Sequence, residues 1–598
     1  MSQKCPSKRE SLWNERENCV RYFHAALLDL VYFADKFSSQ NTAKGAIAVI
    51  PSYAVPAVNF EKLSFEAIGH EGQNAEAGAR MDDALQPGNS SSITADAAAP
   101  AVDIGDLMTM RNDDADFEEP SEEGCTYGLL VAVLAIVIGS SFQAGYQFGW
   151  IISSRQVIEE FIRESSFVDN DRRFKEARHW IWTSTISSYE IGGIFGSLAA
   201  ASFADKHGRK STLFFNNVWA AIATVLMTAS YTTRTWYLML LARFIFGFNA
   251  GVSLVVVPVY LTELSPNNLR GAVGTSHQLF FSLAVLIANV FSFKHVFGTA
   301  ERWHHINEMG FLPIVAQLIL LKFCPESPHF LTLYDDDSDE AEAALAVLRG
   351  KSEVQAEVMA IRGEISKSED QPRPMLGAVF SANLRWATAL SVFIMLMRQL
   401  SGMDVVLECI LDVITAIGFT TLDGQWTLCG LVLLCVCVTA LSALLVDSSY
   451  FGRRTLLLIG IFGMFFSSVA VILALILIEN RISTKQCRLS GIFFATVYTI
   501  SYALGPGSIP WFYVTELYTT SARTNGMSFA CTVSWTVDIA LTLLFPLARE
   551  RFSNYSFLLF VFPLFASGIF SLVYVIETKG KSISNIQADL EENRPSCL

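Results

Sequence analysis

Apolar blocks long enough to cross a lipid bilayer recur along this chain, and they constrain its fold more than any other feature. Examples are residues 127–149, 427–446 and 455–478, and the charged residues are concentrated in the gaps between such blocks. A bilayer core about 30 Å thick needs about twenty apolar residues per helix, because lipid cannot hydrogen-bond a bare backbone. The composition agrees, since 52% of the 598 residues are hydrophobic and only 17% are charged. The sequence therefore predicts an all-α protein that crosses the membrane many times.

The spacing of these blocks predicts two bundles of transmembrane helices. We count twelve apolar spans between residues 126 and 576. The longest gap, at 325–385, is polar and helix-prone, and it divides the spans six and six. Two six-helix bundles joined by such a loop are the architecture of major facilitator carriers. The predicted spans lie near 126–150, 180–204, 211–231, 236–261, 272–295, 308–324, 386–410, 426–447, 455–478, 489–512, 526–547 and 556–576.

The first 124 residues differ in composition from the apolar body. Residues 103–123 hold nine acidic side chains against the single base Arg111. Such segments stay solvated and disordered, so we expect a largely disordered cytoplasmic tail at 1–124. The net charge of −14 therefore says little about the body. The other predicted parts are an N-terminal half at 125–324, a cytoplasmic loop at 325–385, a C-terminal half at 386–577 and a cytoplasmic tail at 578–598.

Two charged motifs occur once in each half. Residues 205–210 (DKHGRK) follow the second span, and residues 450–454 (YFGRR) follow the eighth. Residues 262–270 (TELSPNNLR) follow the fourth span, and residues 515–523 (TELYTTSAR) follow the tenth. Matching motifs at matching positions indicate a duplicated fold.

The charged residues of these motifs are candidates for a gate. We expect the basic turns to pair with Glu263 and Glu516 at the cytoplasmic helix ends, locking the two halves together in one state of the protein. The alternative is that the basic residues only anchor the helix ends at the lipid surface. The counts of Lys and Arg on the two sides are nearly even, so the orientation rests on the motifs. The gating candidates are Asp205, Arg209, Lys210, Glu263, Arg270, Arg453, Arg454, Glu516 and Arg523.

Together with these motifs, further segments give the chain a family resemblance. They are residues 142–146 (FQAGY), 325–331 (PESPHFL), 399–402 (QLSG), 505–511 (GPGSIPW) and 577–580 (ETKG). In this order they are highly specific, and the chain resembles the sugar porters over roughly residues 126–590. The animal facilitative glucose transporters are the branch that it resembles most. The resemblance adds Glu326, in the PESP segment, to the gating candidates.

The resemblance implies alternating access around a central sugar site between the two bundles. It places Gln278, Gln399 and Trp511 at positions that bind the sugar in this family. Their chemistry is suitable, because an amide both donates and accepts hydrogen bonds and an indole ring can lie along the apolar face of a sugar. The alternatives are an interhelical hydrogen bond for Gln278 and an interfacial anchor for Trp511. Prolines and glycines at 505–510 predict a broken tenth span, as in transporter cavities.

The sequence also departs from the family pattern at the predicted site. Arg398 and Asp404 replace two amides, and Ser534 stands where an asparagine often lies. Glu408 replaces an aromatic residue associated with the outer gate, so it is a further gating candidate. Charges inside a span are costly and usually face a cavity or each other. These residues either neutralise one another or form a strongly polar site for a solute other than plain glucose, and we include Arg398, Asp404 and Ser534 among the substrate-binding candidates.

Other residues and motifs of the sequence, present or absent, favour or exclude particular functions. Gln147 stands where proton-linked sugar porters carry an aspartate, which favours a passive carrier. No nucleotide-binding loop or nucleophile–base pair indicates an enzyme or a pump, and we expect no cofactor and no nucleic-acid partner. The expected partners are a small solute, a monosaccharide by preference, and membrane lipid, in the plasma membrane. The alternatives are a non-transporting nutrient sensor and a carrier for a charged or polyol solute, and the oligomeric state stays open.

Overall fold

The structure is a computed structural model that describes residues 124–165, 171–334, 338–366, 376–407, 421–480 and 484–595. Within these ranges the regular elements are helical and include no strand. The described body lies within one compact unit, Ser121–Leu598. The predicted tail at 1–124, apart from Gly124, lies outside the described residues, as does Glu408.

The N-terminal half and the loop after it are built from twelve of the described α-helices. These are α1 Tyr127–Ile136, α2 Phe142–Ser153, α3 Arg155–Ser165, α4 Asp171–His207, α5 Arg209–Thr233, α6 Trp236–Leu264, α7 Arg270–Phe291, α8 Trp303–Met309, α9 Phe311–Leu320, α10 Pro328–Tyr334, α11 Ser338–Arg349 and α12 Gln355–Ser366. A π-helical turn at Val137–Ser141 joins α1 to α2 in one continuous span. The gap at 325–385 is helical, as predicted, because α10, α11 and α12 lie within it.

The C-terminal half repeats the pattern of long helices, with a break in two of its spans. Its helices are α13 Arg385–Leu400, α14 Thr421–Leu445, α15 Arg453–Glu479, α16 Thr484–Leu504, α17 Ile509–Glu516, α18 Arg523–Phe552, α19 Leu558–Tyr574 and, beyond the last span, α20 Ile583–Glu592. The predicted break of the tenth span is confirmed, since turns separate α16 from α17 at 505–508. Gly505 belongs there because a Cβ would lie 2.5 Å from the Leu456 carbonyl oxygen.

Ten stretches among the described residues are long and apolar enough to span a membrane. One of them, Arg523–Tyr574, contains both α18 and α19. The 37-residue helix α4, which includes the predicted second span, is not among the ten. Many membrane-spanning helices are therefore present, and the count of twelve stays a prediction.

Glycines bring α4 and α6 into direct backbone contact. Gly192 and Gly196 on α4 face Gly247 and Gly251 on α6. A Cβ on Gly247 would lie 1.8 Å from the Tyr189 carbonyl oxygen, and one on Gly192 would lie 2.0 Å from the Phe244 carbonyl oxygen. Small residues four apart allow this close packing, which drives helix association where lipid removes the hydrophobic effect. This contact fixes the position of Tyr189, which lines the central cavity described below.

Gly247→Val should therefore destabilise the fold by at least about 3 kcal/mol, because neither backbone can move away from the added side chain without separating α4 from α6. We expect a lower unfolding temperature in detergent and a loss of monodisperse protein on gel filtration. Gly430→Val on α14 is the matched control, because no atom lies within 4 Å of a Cβ built there. Equal behaviour of the two variants would contradict the packing argument.

Candidate functional site

A cavity of about 500 Å³ lies between the two halves of the body. The N-terminal half lines it with apolar and aromatic side chains, and the C-terminal half supplies most of the polar ones. The lining residues are Phe148, Tyr189, Leu254, Phe281, Arg398, Gln399, Asp404, Trp511, Cys531, Ser534, Trp535 and Asp538. A second cavity of about 400 Å³ shares Phe148, Phe281 and Asp404 with the first and adds Gln278 and Tyr502.

Trp511 links the two halves across this region. Its indole Nε1 donates to Gln278 Oε1 on α7 at 3.1 Å. The guanidinium carbon of Arg398 lies 4.8 Å from the centre of the Trp511 ring. A cation over an indole face is attracted to it, and the attraction grows when both groups leave water. Trp511 is therefore held by one contact from each half.

Gln399 is the centre of a polar network in the C-terminal half. Its Oε1 accepts from Arg398 Nη1 at 3.2 Å and from Ser534 Oγ at 3.4 Å. Its Nε2 donates to Asp538 Oδ1 and, at 3.4 Å, to Asp404 Oδ2. The amide thus uses its donor and its acceptor together, and it orders two carboxylates and a cation around one side of the cavity.

Arg398 and Asp404 form a weak ion pair at 3.8 Å, which agrees with the alternative that these charges neutralise each other. The side chain of Arg398 is 7% exposed and that of Asp404 is 20% exposed. Asp538 brings a second carboxylate to the same cavity. Mutual pairing of Arg398 with Asp404 therefore leaves Asp538 as a further charged or protonated group at the site.

The helix is interrupted at Gly402, between Gln399 and Asp404 of the site. α13 ends at Leu400, Gly402 has a φ of +79°, and helix resumes at 403. Glycine adopts this left-handed conformation at no steric cost. The turn changes the direction of the chain, so that Asp404 lies within reach of Gln399, five residues earlier.

The structure brings all six predicted substrate-binding residues to these adjoining cavities. Arg398, Gln399, Asp404, Trp511 and Ser534 line the first, and Gln278 lines the second with Asp404. The interhelical hydrogen bond expected as an alternative for Gln278 is also present, because it accepts from Trp511. Sequence reasoning omitted Phe148, Tyr189, Phe281 and Asp538 from the site. Asp538 had a signal, since it lies one helical turn after Ser534; Phe148, Tyr189 and Phe281 had none.

Trp511→Phe should raise the KM for the solute about 10-fold with little change in kcat, because it removes the indole donor to Gln278 and weakens the contact with Arg398. Concentration-dependent uptake into proteoliposomes measures both constants. Trp219→Phe is the control, because Trp219 is 43% exposed on α5 and its ring packs against Phe248, outside both cavities. An unchanged KM in Trp511→Phe would remove Trp511 from the binding site.

We call the end of the body that carries the repeated motifs the motif end. There the N-terminal half contains a buried network of charged side chains. Arg209 Nε donates to Glu263 Oε2 at 2.9 Å, and Arg209 Nη2 donates to Glu263 Oε1 at 3.1 Å. Ser327 Oγ donates to the same carboxylate at 2.6 Å. Glu326 accepts from the backbone N–H groups of Arg209 and Lys210, which begin α5. Burial raises the pKa of Glu326, and these backbone donors oppose that effect.

The C-terminal half repeats this network around Glu516. Arg453 Nη2 lies 3.6 Å from Glu516 and 2.9 Å from Asp447, and Thr578 Oγ1 donates to Glu516 at 2.6 Å. Glu577 accepts from the backbone N–H groups of Arg453 and Arg454 at the start of α15. A carboxylate at a helix N-terminus accepts hydrogen bonds from the free backbone N–H groups and interacts favourably with the positive end of the helix dipole. The motifs that are repeated in the sequence therefore make the same kinds of contact in the two halves.

The contacts across the two halves differ from the predicted ones. The Arg209–Glu263 and Arg453–Glu516 pairs each lie within one half, so they do not themselves join the halves. At the motif end, neighbouring groups make contacts between the halves: Arg523 with Glu263 at 3.6 Å, Asn525 with Asp205 at 3.0 Å, Arg209 with Thr524 at 3.2 Å, the Ala272 N–H with Asp447 at 2.7 Å and Thr262 with Thr515 at 2.8 Å. These contacts hold the motif end closed.

The other predicted gating residues have local partners. Arg270 Nη2 donates to Asn267 Oδ1 at 2.6 Å, and Arg454 Nη2 donates to the Leu572 carbonyl at 2.5 Å. Lys210 joins the network through its backbone N–H. Their part in a gate stays a prediction, as does that of Glu408.

Comparison with known proteins gives the family. Residues 132–590 match the sequence profile of the family described as "Sugar (and other) transporter". The chain belongs to this family. It is 36% identical over 460 residues to facilitated glucose transporter protein 1 of Caenorhabditis elegans, a match that covers 77% of this chain and 90% of the relative. It is 32% identical over 465 residues to facilitated glucose transporter member 5 of solute carrier family 2 from Equus caballus, covering 77% and 91%.

Solved structures of sugar transporters share the fold of this family member. The major facilitator proton:xylose symporter XylE with bound 6-bromo-6-deoxy-D-glucose has a TM-score of 0.67 at 20% identity, covering 77% of this chain and 99% of the symporter. Partially occluded inward-open XylE from E. coli has a TM-score of 0.61 at 19% identity, covering 76% and 100%. The predicted major facilitator fold and sugar-porter membership are therefore confirmed. The relatives are transporters and not enzymes, and they do not favour the nutrient-sensor alternative.

Proposed function

We propose that this sugar transporter carries a hexose or a chemically similar polar solute across the membrane by passive alternating access, with the solute bound in the central cavity. The observation that supports this most is the convergence of Gln278, Gln399 and Trp511 from three helices on adjoining cavities between the halves. Amide and carboxylate groups there suit the many hydroxyls of a sugar, and the aromatic side chains suit its apolar faces. The names of the relatives agree with a hexose.

The closed motif end supports alternating access. The five contacts between the halves at the motif end are four hydrogen bonds and one longer ion pair, which can break and re-form as the halves move. Their loss would open the cavity to the side on which the motifs lie. We propose that this side is cytoplasmic and that the protein acts in the plasma membrane.

The position of Gln147 in α2 supports passive transport. This side chain is buried, its Oε1 accepts from Trp150 Nε1 at 2.7 Å, and its carbonyl accepts from Arg243 at 2.8 Å. An amide side chain does not take up or release a proton at physiological pH. We therefore expect hexose uptake to need no proton gradient, and a protonophore should leave the initial rate unchanged. A rate that falls more than about twofold on dissipating the gradient would assign coupling to a carboxylate at the site.

The experiment that tests the proposed substrate is uptake into proteoliposomes with no imposed gradient. Labelled glucose, fructose, myo-inositol and urate are compared at two pH values, and liposomes without protein give the background. Saturable uptake of a hexose that does not change with pH supports the proposal. Uptake of urate or myo-inositol alone would replace the hexose with a charged or polyol solute. Binding without uptake of any of the four would favour a sensor.

A further inference from the structure

A cluster of metal-binding side chains lies outside the central cavity, on the helix that opens the sixth span. His304, His305 and Glu308 all belong to α8. One potential ligand atom from each lies within 4.8 Å of the other two. The span that α8 begins runs on to Phe323, close to Glu326 of the motif end. The cluster therefore lies at the opposite end of the membrane-spanning body.

The three side chains of the cluster already lie close to the arrangement of a metal-binding site. Neighbouring residues on a helix point about 100° apart, yet the two imidazole rings have their centres only 4.0 Å apart. His305 Nδ1 lies 2.8 Å from Glu308 Oε2. The Nδ1 atom of His304 is buried and has no hydrogen-bond partner among the described residues. A buried nitrogen without a partner is costly unless another group, such as a metal ion, takes its lone pair or proton.

The surroundings hold the ligands in place. The Tyr231 ring stacks on His304 with ring centres 4.0 Å apart and planes at 16°. The Phe297 ring lies 5.9 Å from His305 on the other side of the cluster. Trp303, next in sequence, is fully buried and stacks on Trp150 of α2. The start of α8 is thus fixed by aromatic packing, whereas the side chains of His305 and Glu308 remain 43% and 34% exposed and open to an ion from solution.

We propose that His304, His305 and Glu308 form a binding site for a divalent transition-metal ion such as Zn²⁺ at the end of the transporter opposite the motif end. Two imidazoles and one carboxylate are ligands that Zn²⁺ prefers, and three protein ligands leave a fourth position for water. Because all three ligands come from one helix and two are partly exposed, the site binds its ion reversibly. The site is separate from the proposed sugar cavity and shares no residue with it.

The test uses the full chain in detergent, purified with a tag that contains no histidine. Exposed thiols, including Cys125 and Cys437, are alkylated first so that they cannot bind the ion. Co²⁺ is titrated as an optical probe, because its visible absorption reports nitrogen and oxygen ligands, and Zn²⁺ is then added to displace it. We expect one saturable Co²⁺ ion at this site, displaced by Zn²⁺, and an affinity weakened at least about 10-fold in both His304→Ala and His305→Ala.

His295→Ala is the matched control, because His295 is exposed in the segment between α7 and α8 and is not part of the cluster. It should leave the titration unchanged. Zn²⁺ should also raise the unfolding temperature of the wild-type protein and of His295→Ala, but not of the other two variants. The proposal is overturned if all four proteins bind Co²⁺ alike, or if none shows a saturable component. The elution volume on gel filtration verifies that each variant is folded.

Discussion

Arg398→Ala should reduce hexose uptake at least about 100-fold. The cavity would then hold Asp404 and Asp538 without the cation that lies 3.8 Å from the first of them. Removing one partner of a buried ion pair costs about 3–5 kcal/mol, because the other charge stays buried without compensation. The contact with Trp511 is lost as well. Initial rates of labelled hexose uptake into proteoliposomes, normalised to the amount of inserted protein, measure the effect.

Arg385→Ala is the matched control, because Arg385 begins the same helix and is exposed. It should leave uptake within about twofold of the wild-type rate. The double variant Arg398→Gln with Asp404→Asn removes both charges, and we expect it to recover uptake and to favour hexoses over charged solutes. Near wild-type uptake in Arg398→Ala would contradict a role of this pair at the site. An unchanged selectivity in a folded double variant would make the pair structural.

Glu263→Gln should open the motif end. This carboxylate accepts two hydrogen bonds from Arg209 and one from Ser327, and it lies 3.6 Å from Arg523 of the other half. The hydrogen bonds from Arg209 and Ser327 lie within the N-terminal half, so the contact that changes when the halves separate is the one with Arg523. A charge-assisted contact contributes about 1.5–3 kcal/mol, so its loss should shift the equilibrium away from the closed state about 10-fold. Uptake should fall together with the closed population, because a carrier needs both states.

The readout is the rate at which a membrane-impermeant maleimide labels Thr262→Cys. Thr262 is 2% exposed and faces Thr515 across the two halves, so the new thiol is covered only while the motif end is closed. Labelling from the motif side should be about 10-fold faster in the Glu263→Gln background. Glu357→Gln is the control, because Glu357 pairs with Arg349 in the loop and is 33% exposed. Equal labelling rates in the two backgrounds would show that Glu263 does not hold the gate.

The sequence predicted the structure best at positions where a residue type has a single structural role. Apolar blocks predicted the membrane-spanning helices, and the glycines and prolines at 505–510 predicted the break between α16 and α17, which the structure confirms. The repeated motifs predicted two similar charge networks, around Glu263 and Glu516. The residues that join the halves were not predictable. Arg209 lies four residues after Asp205 and also near Glu263, and only the packing of the halves decides between these partners.

The residues of the central site were likewise predicted only in part. Gln278, Gln399 and Trp511 came from family motifs, whereas Phe148, Tyr189 and Phe281 came from none. A phenylalanine such as Phe148 or Phe281 looks the same in sequence whether it faces lipid, a neighbouring helix or a cavity. The close contact of α4 with α6 was also missed, although Gly192, Gly196, Gly247 and Gly251 have the four-residue spacing typical of packed membrane helices. The turn at Gly402 depends on a single backbone angle that hydropathy cannot report.

Counterflow measures most directly whether this protein is a passive alternating-access carrier. Proteoliposomes are loaded with a high concentration of unlabelled glucose or fructose and diluted into buffer that contains a trace of the labelled sugar, with no ion gradient. Labelled sugar should rise inside to well above its equilibrium level and then decline, because the unlabelled sugar returns the binding site to the outside. This overshoot should disappear in Arg398→Ala. Labelled sugar that rises only to equilibrium, or does not enter at all, would contradict passive alternating access.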